Sequence, residues 1–164
     1  DPLTGLANQR TFARILDLEL ARAARQGSEI SVVMFDVDGL TDLNERLGHE
    51  TGDDVLRSVA TVLAESVRLV DTVARYGGDE FVVIAPGSAG ATVAQRVLNG
   101  IAAQPAVGGA TISVSAGVAR YPVDGAAAAE LLAAATAALM TAQAQGTGLL
   151  VPASPSGQGE QPGS

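Results

Sequence analysis

The chain has 164 residues, room for one domain and a little more, and at 47% hydrophobic it has the means to bury a substantial core. Aromatic residues make up only 3%, so that core is aliphatic and alanine-rich, and the absence of cysteine excludes disulfides, thiolate metal sites and a cysteine nucleophile together. A formal charge of −8 argues against a DNA- or RNA-binding surface, which needs clustered basic side chains. No apolar run of about 18 residues is free of polar breaks, and no signal peptide is visible.

Residues 9–26 are predicted as a helix, with Phe12, Ile15, Leu16, Leu20 and Ala23 on one face and Asn8 as N-cap. Ile30 to Phe35 is an apolar run of strand length that ends at Asp36-Val37-Asp38. A polar, glycine-containing stretch follows, and Gly52 to Ser66 reads as the next helix, with Asp53 and Asp54 at its positive N-terminal end. Two short strands, about 72–76 and 80–85, flank Gly77-Gly78-Asp79 as a glycine-rich hairpin. Residues 90–104 read as a helix, 111–118 as an alternating strand, and 127–145 as an alanine-rich helix stopping at Gly146. A last edge strand is expected at 149–151. The stretch 152–164, PASPSGQGEQPGS, is expected to be a disordered tail, which leaves 1–151 as the domain.

From residue 30 to residue 118 the order is β-α-β-β-α-β, the ferredoxin-like pattern of an α+β fold, with an extra N-terminal helix in front. In that topology the first strand and the central hairpin lie side by side. Asp36 and Asp38 then approach Asp79 and Glu80 despite their distance in sequence. Glycines at a hairpin tip remove the side chains that would keep a ligand from the backbone. Carboxylates gathered there repel one another unless a cation sits among them. Hard oxygen donors with room for water suit Mg²⁺, whose usual partner is a substrate phosphate. Taken alone, the hairpin reads better as a surface turn with acidic residues facing water.

A second segment reverses that judgement. FDVDGLTDLNERLGHETGDDVL (Phe35 to Leu56), RYGGDEF (Arg75 to Phe81) and the opening DPLTGLANQRTF (Asp1 to Phe12) stand in the order and register of one known pattern. Over about residues 1–150 the chain resembles the GGDEF domain family, the diguanylate cyclases. The resemblance implies a core of the nucleotidyl-cyclase and polymerase-palm type. It implies an activity that joins two GTP into cyclic di-GMP and two pyrophosphates, with Mg²⁺ or Mn²⁺ as cofactor. Asp36, the Val37 carbonyl and Asp79 are the implied metal ligands. Asp79 is also the implied base for the 3′-hydroxyl, with Glu80 beside it in the catalytic pair. Asp38 is a helper at most. Asn44 and Asp53 are implied to read guanine, and Gly77 and Gly78 to lie against the nucleotide. His49 falls in the family's GH pair near the substrate, where a structural role fits equally well. Asn44 as a turn cap and Asp53 as a helix cap are the plainer readings of those two residues.

RLVD, Arg68 to Asp71, is separated from Gly77 by five residues, the spacing of the family's RxxD inhibitory site, with Arg96 as its additional arginine. Arginine pairs with phosphate or stacks on guanine, and a carboxylate accepts from the guanine edge. A surface salt bridge is the plain alternative. The resemblance further implies a transient homodimer in which each copy presents one GTP. The chain enters a motif at its first residue without an initiating Met, as expected of a piece of a longer protein. An N-terminal sensor or dimerising region is therefore expected before it, and the domain itself is expected to be cytoplasmic.

The departures from the pattern lie where the family carries basic side chains. Leu40 and Thr41 stand for its Phe and Lys, and AQAQGTG replaces AKxxGRN, so that Gln143 and Thr147 stand for Lys and Arg. All ten basic residues of this chain are arginines. Triphosphate contacts must then come from Arg, backbone N–H groups or metal. The alternative function is accordingly a weak or inactive GGDEF domain that binds cyclic di-GMP or GTP as a regulatory module.

Overall fold

The computed structural model describes residues 1–151; the stretch 152–164 expected to be disordered lies outside the described residues. Helix α1 spans Gln9–Gln26, as the spacing predicts. The Asn8 side chain accepts from the Thr11 N–H at 2.9 Å, satisfying one orphan donor of the first turn. Gly27 closes the helix at φ 64°, a conformation that glycine adopts without steric cost. Strand β1, Ile30–Val37, is apolar almost throughout because it is central and buried on both faces.

Between β1 and the hairpin lie two helices, α2 (Leu40–Leu47) and α3 (His49–Ser66), where the sequence predicts an irregular stretch and a helix from Gly52. The first is two turns long and buries only Leu40 and Leu43, three residues apart, so its apolar stripe is too short to register as a period. Gly39 at φ 67° starts it and Gly48 at φ 90° separates it from α3. Strands β2 (Thr72–Arg75) and β3 (Glu80–Pro86) form the expected hairpin, and helix α4 spans Gly90–Ala102.

Strand β4 is Val114–Tyr121, three residues later than predicted. Alternation alone does not fix its ends; pairing does. Each of its eight residues has a partner on β1, from Val114 opposite Val37 to Tyr121 opposite Ile30. Helix α5, Ala128–Gln145, and the short β5, Leu149–Leu150, complete the described chain.

The sheet order is β2-β3-β1-β4-β5, with β1 antiparallel to both neighbours and β5 parallel to β4. This is the ferredoxin-like βαββαβ core with an added N-terminal helix. One face carries Val33, Phe35, Phe81 and Val83 against α2, α3 and α4. The other carries Val32, Met34, Val82 and Ile84 against α1 and α5. Gly117 lets α5 approach closely: a Cβ there would stand 2.3 Å from the Ala135 carbonyl oxygen and the Leu139 nitrogen. The middle of α5 is thereby held against β4, and its last turn reaches the end of β1 through Gln143. No helix among the described residues is long and apolar enough to cross a membrane.

Candidate active site

The end of β1 and the β2–β3 turn meet as the topology requires. Asp36 is opposite Glu80 across the ladder, and the Val37 N–H donates to the Asp79 carbonyl at 3.0 Å. The carboxylates of Asp36, Asp79 and Glu80 thus share one edge of the sheet. Asp36 Oδ2 accepts from the Gln143 amide at 2.7 Å, whereas its Oδ1 is buried with no partner. Burial pushes the Asp36 carboxyl up to about 6; the Gln143 hydrogen bond opposes that rise and neighbouring Asp79 and Glu80 add to it. Glu80 is raised as well, by burial first and then by Asp79.

Asp38 is spent elsewhere. Its carboxylate accepts from the Ser113 hydroxyl at 2.8 Å and from Ser115 at 2.9 Å, and its N–H donates to the Ser113 carbonyl at 2.8 Å. It ties the end of β1 to the chain entering β4, which gives this carboxylate a role without a metal.

Two adjoining cavities open on this edge. The first, about 460 Å³, is lined by the carboxylates of Asp36, Asp38 and Asp79 with Thr41, Ser115 and Gln143, and no basic side chain lines it. The second, about 350 Å³, shares Leu40, Thr41 and Asp79 with the first and adds Asn44, Asp53 and Arg75. Asn44 from α2 and Asp53 from α3 therefore do face one pocket. The Asn44 Oδ1 is buried without a partner. It fits there because residue 52 is glycine: a Cβ on Gly52 would stand 1.7 Å from that oxygen. His49 is exposed at the start of α3 and lines neither cavity. Gly78 lines the second, and a Cβ on Gly77 would stand 2.9 Å from Glu80 Oε1.

Sequence reasoning singled out neither Gly52 nor Arg75. A glycine inside a helix costs about 1 kcal/mol relative to alanine, and that was the available signal for the first. Arg75 donates through Nε to the Gly77 carbonyl at 3.2 Å and through Nη2 to the Gly78 carbonyl at 2.7 Å, fixing the hairpin tip. Its Nη1 lies 3.3 Å from Asp1, whose carboxylate also accepts from the Thr4 N–H at 2.9 Å and hydroxyl at 2.7 Å. The opening turn of the chain is thus clamped to the acidic hairpin.

The RLVD segment forms a separate corner. Asp71 accepts from the Arg68 backbone N–H at 2.7 Å and from its guanidinium at 3.0 Å, and its side chain is 0% exposed. Arg68 also donates to the Pro86 carbonyl at 3.1 Å, and Arg96 from α4 to the Ser66 carbonyl at 2.9 Å. Both arginines are exposed.

A central antiparallel strand ending in a carboxylate, beside a hairpin that carries two more, defines a module of the nucleotidyl-cyclase and polymerase-palm type. The family model described as "Diguanylate cyclase, GGDEF domain" matches residues 1–148, and the chain belongs to that family. It is 41% identical over 108 residues to the response regulator PleD of Caulobacter vibrioides, which covers 64% of this chain and 24% of PleD. It is 44% identical over 84 residues to diguanylate cyclase DosC of Escherichia coli, covering 51% of this chain and 18% of DosC. The chain thus spans about a quarter or less of these relatives. Among solved structures, the GGDEF domain of TpbB (YfiN) from Pseudomonas aeruginosa superposes with a TM-score of 0.86 at 33% identity, covering 92% of each chain. That of DgcB from Caulobacter crescentus in complex with c-di-GMP gives 0.83 at 30%, covering 92% of this chain and 91% of that one.

Diguanylate cyclases of this family generally depend on a divalent metal, and the residues here fit one. Asp36 and Asp79 supply hard carboxylate oxygens, and the orphaned Asp36 Oδ1 is a buried acceptor to which the fold brings no donor. Among the described residues no three His, Cys, Asp or Glu side chains form a ready-made cage. A carbonyl such as that of Val37, with water or substrate oxygens, would complete the shell.

Proposed function

We propose that the chain is the catalytic domain of a diguanylate cyclase, condensing two GTP into cyclic di-GMP and two pyrophosphates. The observation that carries this reading is that Asp36, with a buried and unpartnered Oδ1, lines with Asp79 a cavity adjoining the one lined by Asn44 and Asp53. Asn44 and Asp53 hold the guanine edge, and a site built on such polar groups rejects bases that leave them unpaired. Gly78 leaves the hairpin open to the nucleotide. The Asp79 carboxylate takes the proton from the 3′-hydroxyl, whose oxygen attacks the α-phosphorus of the GTP on a second copy, and pyrophosphate departs. Glu80 adds negative charge beside this pair. Asp36, the Val37 carbonyl and Asp79 would hold Mg²⁺ or Mn²⁺, which when bound stabilises charge on the attacking and leaving oxygens. The two GTP sites face each other in a transient homodimer. His49 lies outside this arrangement.

Arg68, Asp71 and Arg96 form the site through which the product inhibits. Because Asp71 is fully covered, Arg68 must swing away before the carboxylate can meet a guanine edge.

A second reading rests on the cavity beside Asp36, which has no basic side chain. Three lost charge-assisted contacts at about 1.5–3 kcal/mol each would weaken GTP binding and slow turnover. The domain would then serve as a cyclic di-GMP or GTP receptor.

The test is incubation of a dimeric preparation, stripped of bound inhibitor, with GTP and Mg²⁺, following the nucleotides by chromatography. Cyclic di-GMP is expected from the parent and not from Asp79→Ala. No product from the parent overturns the cyclase and leaves the receptor.

A further inference from the structure

Gln143 is exposed on the last turn of α5, yet its amide reaches across the cavity to Asp36 at 2.7 Å, from a residue 107 positions away in sequence. Three features make this contact more than a chance surface bond. The bond uses one carboxylate oxygen and leaves the other, Oδ1, buried and unpartnered, so the carboxylate is held with one defined oxygen free. Asp38, the other nearby carboxylate on this strand end, is spent on Ser113 and Ser115. Finally, α5 packs closely on β4 where Ala135 and Leu139 meet Gly117, one turn before Gln143.

We propose that Gln143 is a positioning residue for the divalent-metal site, holding Asp36 Oδ2 so that Oδ1 faces the cation. This rests on the reading of Asp36 and Asp79 as metal ligands. A neutral amide suits the task, because it orients the carboxylate without adding a charge that competes with the cation. Hydrogen bonds that orient metal ligands from outside the coordination shell are worth roughly 10–100-fold in metal affinity.

The experiment measures Mn²⁺ alone, without nucleotide, by electron paramagnetic resonance on the 164-residue chain. Gln143→Met keeps the length and removes the donor. Its dissociation constant for Mn²⁺ is expected to rise about tenfold, with the melting temperature unchanged because the side chain is exposed. Gln145→Met, an exposed exchange in the same helix turn, is expected to leave binding at the parental value. A Gln143→Met constant equal to or tighter than the parent's overturns the proposal, since the amide would then be idle or in the cation's way. Asp36→Ala separates the two levels of the argument. Parental binding that survives Asp36→Ala, or no parental binding at all, sinks the metal-site reading itself. Binding that is lost with Asp36→Ala and untouched by Gln143→Met sinks this inference alone.

Discussion

At the end of β1, Asp36 leaves one buried carboxylate oxygen without a partner, whereas in the loop after α3 Asp71 has both oxygens engaged and its side chain fully covered. The first carboxylate sits among others of like charge; the second sits under a guanidinium. A fold that leaves a buried polar atom unsatisfied accepts a cost of about 1–3 kcal/mol, tolerable where a ligand is to supply the missing partner. A saturated pair has no such vacancy, and a ligand must displace something to bind there. The acidic site thus keeps an acceptor without a partner, whereas the RLVD corner is closed by its own arginine.

The contrast breaks most severely at Gly52. Its Cβ position lies 1.7 Å from the orphaned Asn44 Oδ1, so Gly52→Ala must drive the amide out of its pocket. Isothermal titration with GTP is expected to show affinity lower by about 100-fold, the upper end of the loss when a polar group is deprived of its partner. Overpacking costs about 1–3 kcal/mol and the gain in helix propensity offsets about 1 of it, so the melting temperature falls only slightly. Undiminished GTP binding would show that Asn44 does not read the base. At the closed corner the expected effect is smaller. Arg68→Ala removes the guanidinium from both Asp71 and the phosphates of a bound cyclic dinucleotide, and cyclic di-GMP affinity should drop about tenfold in the same assay. Retained affinity would place the product elsewhere.

The difference between these regions was only partly legible in the sequence. The strand order brought Asp36 close to Asp79 and Glu80, because ladder pairing follows from βαββαβ order once the strands are recognised. Helix α1 was read to the residue, since Asn8 and Gly27 mark its ends with local chemistry. The fate of each carboxylate was another matter. Asp38 reads as a helper at most, but the sequence does not show its partners, two serines where the chain enters the neighbouring strand β4. The Arg68–Asp71 pair is local and open to reading as a salt bridge. Arg75 reaches only two and three residues along, to Gly77 and Gly78. The contact of Gln143 with Asp36, by contrast, depends on where elements settle in three dimensions. Helix α2 escaped because two buried leucines make no period, and β4 was displaced because its ends are set by β1 and not by its own alternation.

The smallest expected effect sharpens the contrast through stability. Asp36 has its folded-state carboxyl raised from the ordinary aspartate value of 3.8 to about 6, so the fold disfavours its charged form. The sign follows: below about pH 4 the group is neutral in both states and costs nothing. As pH climbs from about 4 to about 6 the unfolded chain releases its proton more readily, and the fold loses stability across that window. Asp36→Asn removes the charge while keeping an oxygen for the Gln143 amide. In buffer with chelator, the variant should match the parent near pH 4 and exceed it at pH 7. Discounted for partial solvent screening, the gain is about 1 kcal/mol, or roughly 2–4 °C in melting temperature. Saturating Mn²⁺ should erase that advantage, because binding stabilises only the parent. A variant no more stable than the parent at pH 7 would mean that Asp36 is as well satisfied as Asp71, and the contrast between the two corners would fall.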